Sequence, residues 1–325
     1  MVRVALIAGG RSGEFDISLK SSAAVSDALG RLGHETLNLV ITRSGTALLQ
    51  GEELLLAEAL VDLCNQNVDC AFIAMHGEYG EDGRIQGALD LLDIPYQGCG
   101  VTVSACAMSK SIAKLHYRDA GLPVADDVTL RSTDSAPPWG KFAAQLGLPL
   151  VLKTATSGSS VGIEVVESMD ALEERGEELL AATSRLVIEK WLPGREFTVA
   201  VLEEEDGSIR ALPVVEIRPN GARFFDYEAK YTPGATDEIC PAPIEEDLEE
   251  ELRRLGLEAH RALGCRHLSR TDFKCDSQGR PHLLETNTLP GLTPMSLLPK
   301  AAAAHGLSFD DLIARLLSLT LRDRA

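Results

Sequence analysis

Long apolar runs are absent from this sequence of 325 residues, and their absence bears first on membranes. No stretch approaches the roughly 20 apolar residues that a helix needs to cross a bilayer. Residues 1–10 run directly into a strand-like segment and then glycines, without the basic region, apolar core and cleavage site of a signal peptide. We therefore expect a cytoplasmic protein that has no membrane partner.

Positive charge is also scarce. The 31 Lys and Arg residues face 49 Asp and Glu residues, which gives a formal net charge of -18. Nucleic-acid binding depends on clustered Lys and Arg, so the charge argues against a nucleic-acid partner, and we expect none. The acidic stretches 173–178 and 245–254 are typical of solvated helix faces. An anionic substrate therefore needs a local positive site that works against the overall field.

Cysteine pairing motifs are missing as well. The seven cysteines follow no C-x-x-C spacing and have no His at ligand spacing, which argues against a zinc site or a disulfide framework.

There is also no Walker A motif, so nucleotide binding of the P-loop kind is excluded. The composition is otherwise ordinary for a globular protein, with 45% hydrophobic and 25% charged residues.

The sequence does contain a regular alternation of strand-like and helix-like segments. Residues 1–105 carry the pattern of a small, doubly wound parallel-sheet domain with covering helices. Residues 106–190 combine strands and helices in a second unit. Residues 191–325 begin with a hairpin, whose second strand is predicted over IRALPVVEI (209–217), and continue as an antiparallel-rich third unit. We therefore predict a mixed α/β and α+β fold of three units.

The clearest chemical signal is a predicted hairpin near the end of the chain. Arg270 and Asp272 lie on its first strand, and Glu285 and Asn287 on its second. Because side chains alternate between faces, a turn of two or four residues puts all four polar groups on one face, together with Leu283. Oxygen donors of this kind beside an arginine suit Mg2+ and phosphate oxygens. The alternative is a surface hairpin in which Arg270 forms a salt bridge with Glu285.

A second signal is Lys153, which ends an apolar strand and begins the flexible segment KTATSGSSVG (153–162). Backbone N–H groups of such a loop can approach phosphate closely, and the lysine adds a positive charge. Residues 158–162 also match the G-x-S-x-G motif of hydrolases. That motif requires a helix directly after the serine, whereas IEVVE (163–167) is strand-like. A hydrolase function is therefore disfavoured.

A third signal is the segment HGEYGEDG (76–83), which follows the strand-like residues 69–75. The carboxyl ends of parallel strands are where open α/β sheets bind ligands. A lone histidine is more often structural than catalytic. Its position at a strand end nevertheless makes His76 a candidate for substrate binding.

Together with further segments, these signals resemble the D-alanine–D-alanine ligase family along most of the chain. Nine segments occur in the family's order between residues 9 and 299, which leaves little room for coincidence. They are GGRSGEFDISL, HGEYGEDGRIQG, IPYQGCGVTVSACAMSK, KTATSGSSVG, IEKWLPGREFTVAVL, LPVVEI, FFDYEAKY, GCRHLSRTDF and LLETNTLPGLTPMSLLP.

The resemblance implies an ATP-grasp fold, in which an N-terminal α/β domain precedes two α+β subdomains that hold ATP between their sheets. It implies ATP-dependent joining of two D-alanines through a D-alanyl phosphate, for peptidoglycan precursor synthesis. Two Mg2+ ions, with Mn2+ as an alternative, and a homodimer are further expectations. Phosphoryl transfer depends on positioning and charge neutralisation, which suits Lys, Arg and Mg2+ better than a protein nucleophile.

The resemblance also implies roles for individual residues. ATP would be bound by Lys110, Lys153, Ser159, Glu189, Lys190, Trp191, Leu192, Glu196 and Lys230. D-alanine would be bound by Glu14, His76 and Ser296. The catalytic residues would be Glu14, Ser159, Tyr231, Arg270, Gly291 and Ser296. Mg2+ would be bound by Asp272, Glu285 and Asn287.

Within the catalytic set, the resemblance implies a division of work. Glu14 would pair with the ammonium of the first D-alanine, and Ser296 would receive the carboxylate of the second. Arg270 and the Gly291 N–H would form the oxyanion site. A tyrosine at position 231 resembles family members that use D-alanine, and not D-lactate, as the acceptor.

The sequence departs from the family's pattern in three places. Ser109 replaces an Asp, Thr154 and Ser157 replace a Pro and an acid, and Phe15-Asp16 replace His-Glu. None of these changes removes a proposed ligand, so they bear on nucleotide affinity. The alternatives are a ligase for another amino acid or a D-lactate acceptor, and an ATP-binding paralogue without catalysis.

Overall fold

A computed structural model describes residues 1–134, 136–155, 162–220, 232 and 234–323 of the chain. In this part of the chain, the strands form three sheets. The helices are α1 (Phe15–Arg31), α2 (Leu56–Asn65), α3 (Arg84–Leu91), α4 (Val101–Met108), α5 (Lys110–Asp119), α6 (Trp139–Leu146), α7 (Met169–Ala182), α8 (Glu246–Leu263), α9 (Leu297–Ala304) and α10 (Phe309–Arg322). Within the same described ranges, no helix is both long and apolar enough to cross a membrane.

The first sheet is the predicted α/β unit. Its strands are β1 (Arg3–Gly9), β2 (Glu35–Ile41), β3 (Thr46–Leu49), β4 (Glu52–Leu55) and β5 (Cys70–Ile73), in the order β4-β3-β2-β1-β5. β1 is parallel to β2 and β5, because helical crossovers carry the chain back between them. β3 and β4 extend the sheet as antiparallel edge strands. The predicted parallel sheet is thus confirmed at its centre.

β1 is buried on both faces, as expected for a central parallel strand. Val4 and Leu6 point into one core, with α1 and α10, whereas Ala5 and Ile7 point into a second core, with α2 and α3. The first core also contains side chains of the third sheet. The predicted ranges 1–105 and 191–325 therefore share a core, and the division at 105 and 190 stays a prediction.

The second sheet is antiparallel in its described part. Its strands are β6 (Asp127–Arg131), β7 (Leu150–Thr154), β8 (Ile163–Val166) and β9 (Arg185–Lys190), in the order β6-β9-β7-β8. Leu152 and Ile188 point into a core under α6 and α7. Because side chains alternate, Lys153 and Glu189 lie on the opposite, open face of this sheet.

The third sheet has the order β13-β12-β10-β14-β15, with β11 also paired to β10. Its strands are β10 (Glu196–Glu203), β11 (Ile209–Ala211), β12 (Val215–Pro219), β13 (Thr236–Ile239), β14 (Leu268–Cys275) and β15 (Pro281–Asn287). The prediction of one strand over 209–217 was wrong. The segment is divided into β11 and β12, because Pro213 has no N–H for the ladder.

Candidate active site

Two adjoining pockets contain most of the residues selected from the sequence. The larger, of about 320 Å³, is lined by Glu14, His76, Lys110, Arg270, Glu285, Asn287, Gly291 and Ser296. The smaller, of about 80 Å³, is lined by Lys110, Lys153, Glu189, Lys190, Trp191, Leu192, Glu196, Asp272 and Glu285. Lys110 and Glu285 line both pockets and so mark their boundary. Ser159, Lys230 and Tyr231 lie outside the described residues.

The β14–β15 hairpin places the four polar residues predicted from the sequence on one face. Arg270 lies opposite Asn287, and Asp272 lies opposite Glu285. Each of the four lines at least one of the two pockets. Arg270 forms its ion pair with Asp272 on its own strand.

The prediction for Leu283 was wrong, because the turn and the strand differ from the expected pattern. Cys275 pairs with Pro281, so an odd number of residues separates the strands, and odd positions pair with odd ones. Leu284 is then the extra residue of a bulge, which shifts the register. Leu283 therefore points into the core beside Phe273, and Leu284 lines the smaller pocket.

Asp272 is the centre of a hydrogen-bonded network. Its Oδ1 accepts from Thr198 Oγ1 at 2.6 Å and from Arg270 Nε at 2.9 Å. Its Oδ2 accepts from Arg270 Nη2 at 2.9 Å and from Asn287 Nδ2 at 3.2 Å. Burial alone would lower the pKa of Arg270, but the Asp272 carboxylate raises it above its usual value. The two side chains thus form a bidentate ion pair of fixed geometry.

The oxygen atoms around this network suit a hard divalent cation. Asp272, Glu285 and Asn287 supply carboxylate and amide oxygens, which Mg2+ prefers. Among the described residues, no group of three or more His, Cys, Asp and Glu side chains could hold a metal ion, so the amide of Asn287 is needed as the third donor. The donor types of these three residues therefore suit Mg2+. Asn287 directs its Nδ2, and not its Oδ1, at Asp272.

Two buried lysines reach the pockets from neighbouring elements. Lys110, the first residue of α5, lies 3.2 Å from Glu285. Lys153, on the open face of the second sheet, pairs with Glu189. Charges in such a site are screened less than charges on the surface. An anion that enters here therefore meets two ammonium groups, each of which already pairs with a glutamate.

The wall of the smaller pocket contains a residue that the sequence analysis missed. Lys274 lies two residues after Asp272 on β14 and therefore on the same face. Its Nζ lies 3.0 Å from Glu196 and 5.7 Å from the centre of the Trp191 ring. Its position two residues after Asp272 is the feature of the sequence that could have identified Lys274. An aromatic wall flanked by carboxylates suits a nucleoside, with stacking on one side and hydrogen bonding at the edges.

His76 lies just beyond β5, in the wall of the larger pocket. Its Nδ1 lies 3.0 Å from the Leu289 carbonyl, which requires an N–H on this nitrogen, and its Nε2 lies 2.9 Å from the Ser21 hydroxyl. Burial lowers the pKa of His76, so the ring is neutral near pH 7. His76 thus links the first sheet to the segment after β15, and its contact with substrate stays a prediction.

Glu81 is an acid of the larger pocket that the sequence analysis did not select, although it lies in the segment 76–83. Its Oε2 accepts from the Gly77 N–H at 2.7 Å, and its Oε1 accepts from the Leu289 N–H at 3.3 Å. Burial, followed by the negative charge of Glu14, raises the pKa of Glu81 to about 8. This carboxyl is therefore largely protonated near neutral pH.

We expect Glu81→Gln to reduce the pH dependence of stability. The pKa of about 8 in the folded state lies above the ordinary value of 4.5, so the folded protein binds more protons than the unfolded chain between these values. The free energy of unfolding of the unmodified protein therefore falls as pH rises from about 4.5 to about 8. Gln cannot ionise, so the variant should lose less stability over this range.

Thermal unfolding of both proteins between pH 5 and pH 8.5 measures this difference. Glu78→Gln is the matched control, because Glu78 belongs to the same loop but has a side chain that is 57% exposed. An equal decline in stability for the unmodified protein and Glu81→Gln would contradict the prediction.

The loop after β15 brings Gly291 and Ser296 together. A Cβ atom at Gly291 would lie 2.8 Å from Ser296 Oγ, so a side chain at this position would displace the Ser296 hydroxyl. Ser296 is the N-cap of α9, and its Oγ lies 2.8 Å from Thr293 Oγ1. N–H groups of a first helical turn favour negative charge. The predicted carboxylate-binding role of Ser296 is in keeping with this position.

Comparison with known proteins gives a consistent result. The chain matches the family models described as D-ala D-ala ligase C-terminus, over residues 117–318, and D-ala D-ala ligase N-terminus, over residues 56–99. It is 44% identical to the D-alanine–D-alanine ligase of Desulfotalea psychrophila, across 98% of this chain and 95% of that protein.

Two solved structures are similar over nearly their whole length. The first is D-alanine–D-alanine ligase from Bacillus anthracis complexed with ATP, with a TM-score of 0.81, 29% identity, and coverage of 100% of this chain and 99% of that chain. The second is VanG D-Ala:D-Ser ligase from Enterococcus faecalis, with a TM-score of 0.83, 28% identity, and coverage of 98% and 99%.

Proposed function

The chain belongs to the D-alanine–D-alanine ligase family, and from this premise we propose that the two adjoining pockets form one active site. The protein is an ATP-dependent ligase that joins two D-alanines to D-alanyl-D-alanine for peptidoglycan precursor synthesis. The observation that carries the site assignment is that both pockets are lined by Lys110 and Glu285. A phosphoryl group passing from a nucleotide in one pocket to an amino acid in the other has to cross this boundary.

We place ATP in the smaller pocket. The adenine lies along Glu189–Leu192, the ribose hydroxyls face Glu196, and the phosphates face Lys153 and Lys110. Trp191 and Leu192 offer the apolar wall, and the two lysines offer the positive charge that a triphosphate requires. Ser159 and Lys230, which lie outside the described residues, complete the phosphate contacts in this proposal.

We place the two D-alanines in the larger pocket. The ammonium of the first pairs with Glu14, and the carboxylate of the second binds at Ser296 and the N-terminus of α9. Arg270 and the Gly291 N–H face the acyl oxygen of the first D-alanine. Donors fixed around a developing oxyanion stabilise the transition state by about 3 to 4 kcal/mol each.

The reaction proceeds in two steps. The carboxylate of the first D-alanine attacks the γ-phosphorus of ATP, the bond to the leaving ADP breaks, and D-alanyl phosphate forms. The amine of the second D-alanine, after losing a proton, attacks the acyl carbon and forms a tetrahedral intermediate. Its carbon–oxygen bond to phosphate then breaks, which releases phosphate and the dipeptide. Lys110, Lys153 and Arg270 neutralise the charge that develops in both steps.

Asp272, Glu285 and Asn287 are the residues that would hold Mg2+. When bound, Mg2+, or Mn2+ in its place, supplies positive charge to the phosphate oxygens and helps to align them.

We further propose a homodimer in the cytoplasm. Light scattering of the purified protein measures its mass, and a monomer at micromolar concentration would contradict the dimer.

Phosphate release from purified protein tests the function. The assay contains ATP, Mg2+ and single amino acids or pairs from a panel of D- and L-forms, and mass spectrometry identifies the product. We expect phosphate release with D-alanine and a product of the mass of D-alanyl-D-alanine. Release only with another amino acid would support the alternative substrate, and binding of ATP without release under every condition would support the idle paralogue.

For the acceptor, we expect Tyr231→Phe to weaken discrimination between D-alanine and D-lactate. The phenol is proposed to hydrogen-bond near Glu14 and Ser159, and its loss would leave these groups without that hydrogen bond, at a cost of about 1 to 3 kcal/mol. Mass spectrometry with both acceptors present measures the product ratio near neutral pH. Tyr96→Phe is the control, because its hydroxyl donates to Asp90, away from both pockets. An unchanged ratio in Tyr231→Phe, or substantial depsipeptide from the unmodified enzyme, would contradict this role.

A further inference from the structure

Helix α5 carries two lysines that are one turn apart and therefore lie on the same side of the helix. Lys110 reaches Glu285 at the boundary of the two pockets. Lys114 is 1% exposed, lines neither pocket, and was not selected from the sequence. Its position one turn after Lys110 was the available signal. Its full burial raises the question of what this ammonium group does.

Lys114 has an acceptor for each of its three protons. Its Nζ lies 2.7 Å from Glu189 Oε1, 3.2 Å from Asp127 Oδ1 and 3.1 Å from the Ala125 carbonyl. A lysine ammonium donates three hydrogen bonds at most, so this group is fully engaged. Asp127 has a second cationic partner, Arg118, on its exposed side.

Glu189 is shared between two lysines. Its Oε1 faces Lys114, and its Oε2 faces Lys153. Burial alone would raise the pKa of Glu189, but Lys153 and Lys114 lower it to about 2. The carboxylate is therefore ionised, held from both sides, and placed in the wall of the smaller pocket.

The two lysines differ in what they can reach. Lys153 lines the pocket and so can turn to a nucleotide, whereas Lys114 is enclosed behind it. If Lys153 changes partner, Glu189 needs another counter-charge, because an unpaired buried carboxylate is strongly disfavoured. Lys114 remains in place to supply it.

We propose that Lys114 is a positioning residue for nucleotide binding, which keeps Glu189 charged and oriented as a hydrogen-bond acceptor for the base. The inference rests on the proposed function, since it takes the smaller pocket as the nucleotide site. A carboxylate with no proton accepts from an exocyclic amino group, as in a 6-aminopurine. It repels the carbonyl oxygen of a 6-oxopurine. Lys114 thereby contributes to base specificity without touching the nucleotide.

Calorimetric titration with ATP, in the absence of D-alanine, tests the affinity. We expect Lys114→Met to raise the Kd for ATP by about 10- to 100-fold, because a buried hydrogen bond between charged groups is lost. Arg118→Met is the matched control. It removes a cation from Asp127 on the exposed side and should retain the Kd of the unmodified protein. A Kd in Lys114→Met equal to that of the unmodified protein overturns the proposal.

Titration with ITP, whose base carries a 6-oxo group, tests the specificity. Without Lys114, Glu189 more readily holds a proton and can then donate to the oxo group. The ratio of the Kd for ITP to that for ATP should therefore fall by about tenfold in Lys114→Met. An unchanged ratio overturns the assignment to base recognition. In steady-state assays of Lys114→Met, the KM for ATP should rise, whereas the KM for D-alanine should stay the same.

A double-mutant cycle tests whether Lys114 acts through Glu189. In a Glu189→Gln background, Lys114→Met should change the Kd for ATP by no more than about twofold, because the group it positions is gone. Independent, additive losses overturn the proposal.

Thermal unfolding of Lys114→Met and of Lys114→Gln, which keeps one donor, controls for folding. Unfolding of both variants below the assay temperature makes Lys114 a structural residue and overturns the proposal.

Phosphate release by the unmodified protein with ATP and D-alanine is a separate test. Its failure contradicts the proposed function, whereas the Kd comparison still decides the role of Lys114.

Discussion

Asp272→Asn and Glu285→Gln are each expected to abolish phosphate release while the protein stays folded. Each change removes one negative charge from the proposed Mg2+ site with little change in volume. A metal ion bound to the phosphate oxygens stabilises the transition state by several kcal/mol. This corresponds to about three orders of magnitude or more in rate. Steady-state phosphate release with ATP, D-alanine and Mg2+ measures the loss.

The two substitutions should differ in their effect on stability. Asp272 accepts from Thr198, Arg270 and Asn287, so Asp272→Asn leaves the buried Arg270 without its carboxylate. Glu285 is partly exposed to the pockets and pairs with Lys110, so Glu285→Gln should unfold at nearly the temperature of the unmodified protein. It is therefore the cleaner test of the metal assignment.

Asp206→Asn is the matched control for both variants. It makes the same acid-to-amide change in an exposed hairpin turn, where Asp206 accepts from the Ser208 N–H, and it should keep full activity. Turnover near that of the unmodified protein in both Asp272→Asn and Glu285→Gln, at ordinary Mg2+, would overturn the metal assignment.

The β14–β15 hairpin shows how much of the site the local sequence pattern can predict. Alternation of side chains predicted that the polar residues of β14 and β15 share a face. The register confirms it, because the odd-length turn and the bulge at Leu284 offset each other. The bulge at Leu284 and the odd-length turn were not predictable. The bulge breaks the alternation in β15, since Leu284 and Glu285 both line the smaller pocket whereas Leu283 lies in the core, but the residue types do not show where the alternation breaks. The error therefore fell on Leu283, whose apolar side chain carries no signal of which face it occupies.

The residues that the sequence analysis missed have partners far away in the chain. Lys114 meets Glu189, Lys274 meets Glu196, and Glu81 meets the Leu289 N–H. Each pairing joins elements that are far apart in the chain, namely α5 with β9, β14 with β10, and one loop with another, so composition and spacing do not reveal it. The core shared by the first and third sheets is another contact between distant parts of the chain. Periodicity predicted the units themselves, but not how they pack.

For Arg270→Lys, we expect kcat to fall by about two to three orders of magnitude, with a much smaller change in the KM for ATP. The guanidinium holds both oxygens of Asp272 through Nε and Nη2, each at 2.9 Å, and its side chain is 13% exposed. This bidentate contact fixes the plane of the group, so that its remaining N–H donors face the larger pocket in one orientation.

Lysine would keep the positive charge but lose that plane. Its ammonium is a point charge on a flexible stem, and it cannot hold two carboxylate oxygens and an acyl oxygen in the same fixed geometry. The loss should therefore appear in the chemical step, where negative charge develops on the acyl oxygen, and less in ground-state binding. A fall in kcat with the Kd for ATP retained is the expected signature.

Arg195→Lys is the matched control for this change. Arg195 also donates through Nε to a buried acid of the third sheet, Glu216, but its side chain is 45% exposed and lies outside both pockets. We expect this variant to keep the kcat of the unmodified enzyme. If Arg270→Lys instead raised the KM for ATP and left kcat intact, Arg270 would be a binding residue. The oxyanion would then need another donor, and the Gly291 N–H would be the remaining candidate of the proposed pair.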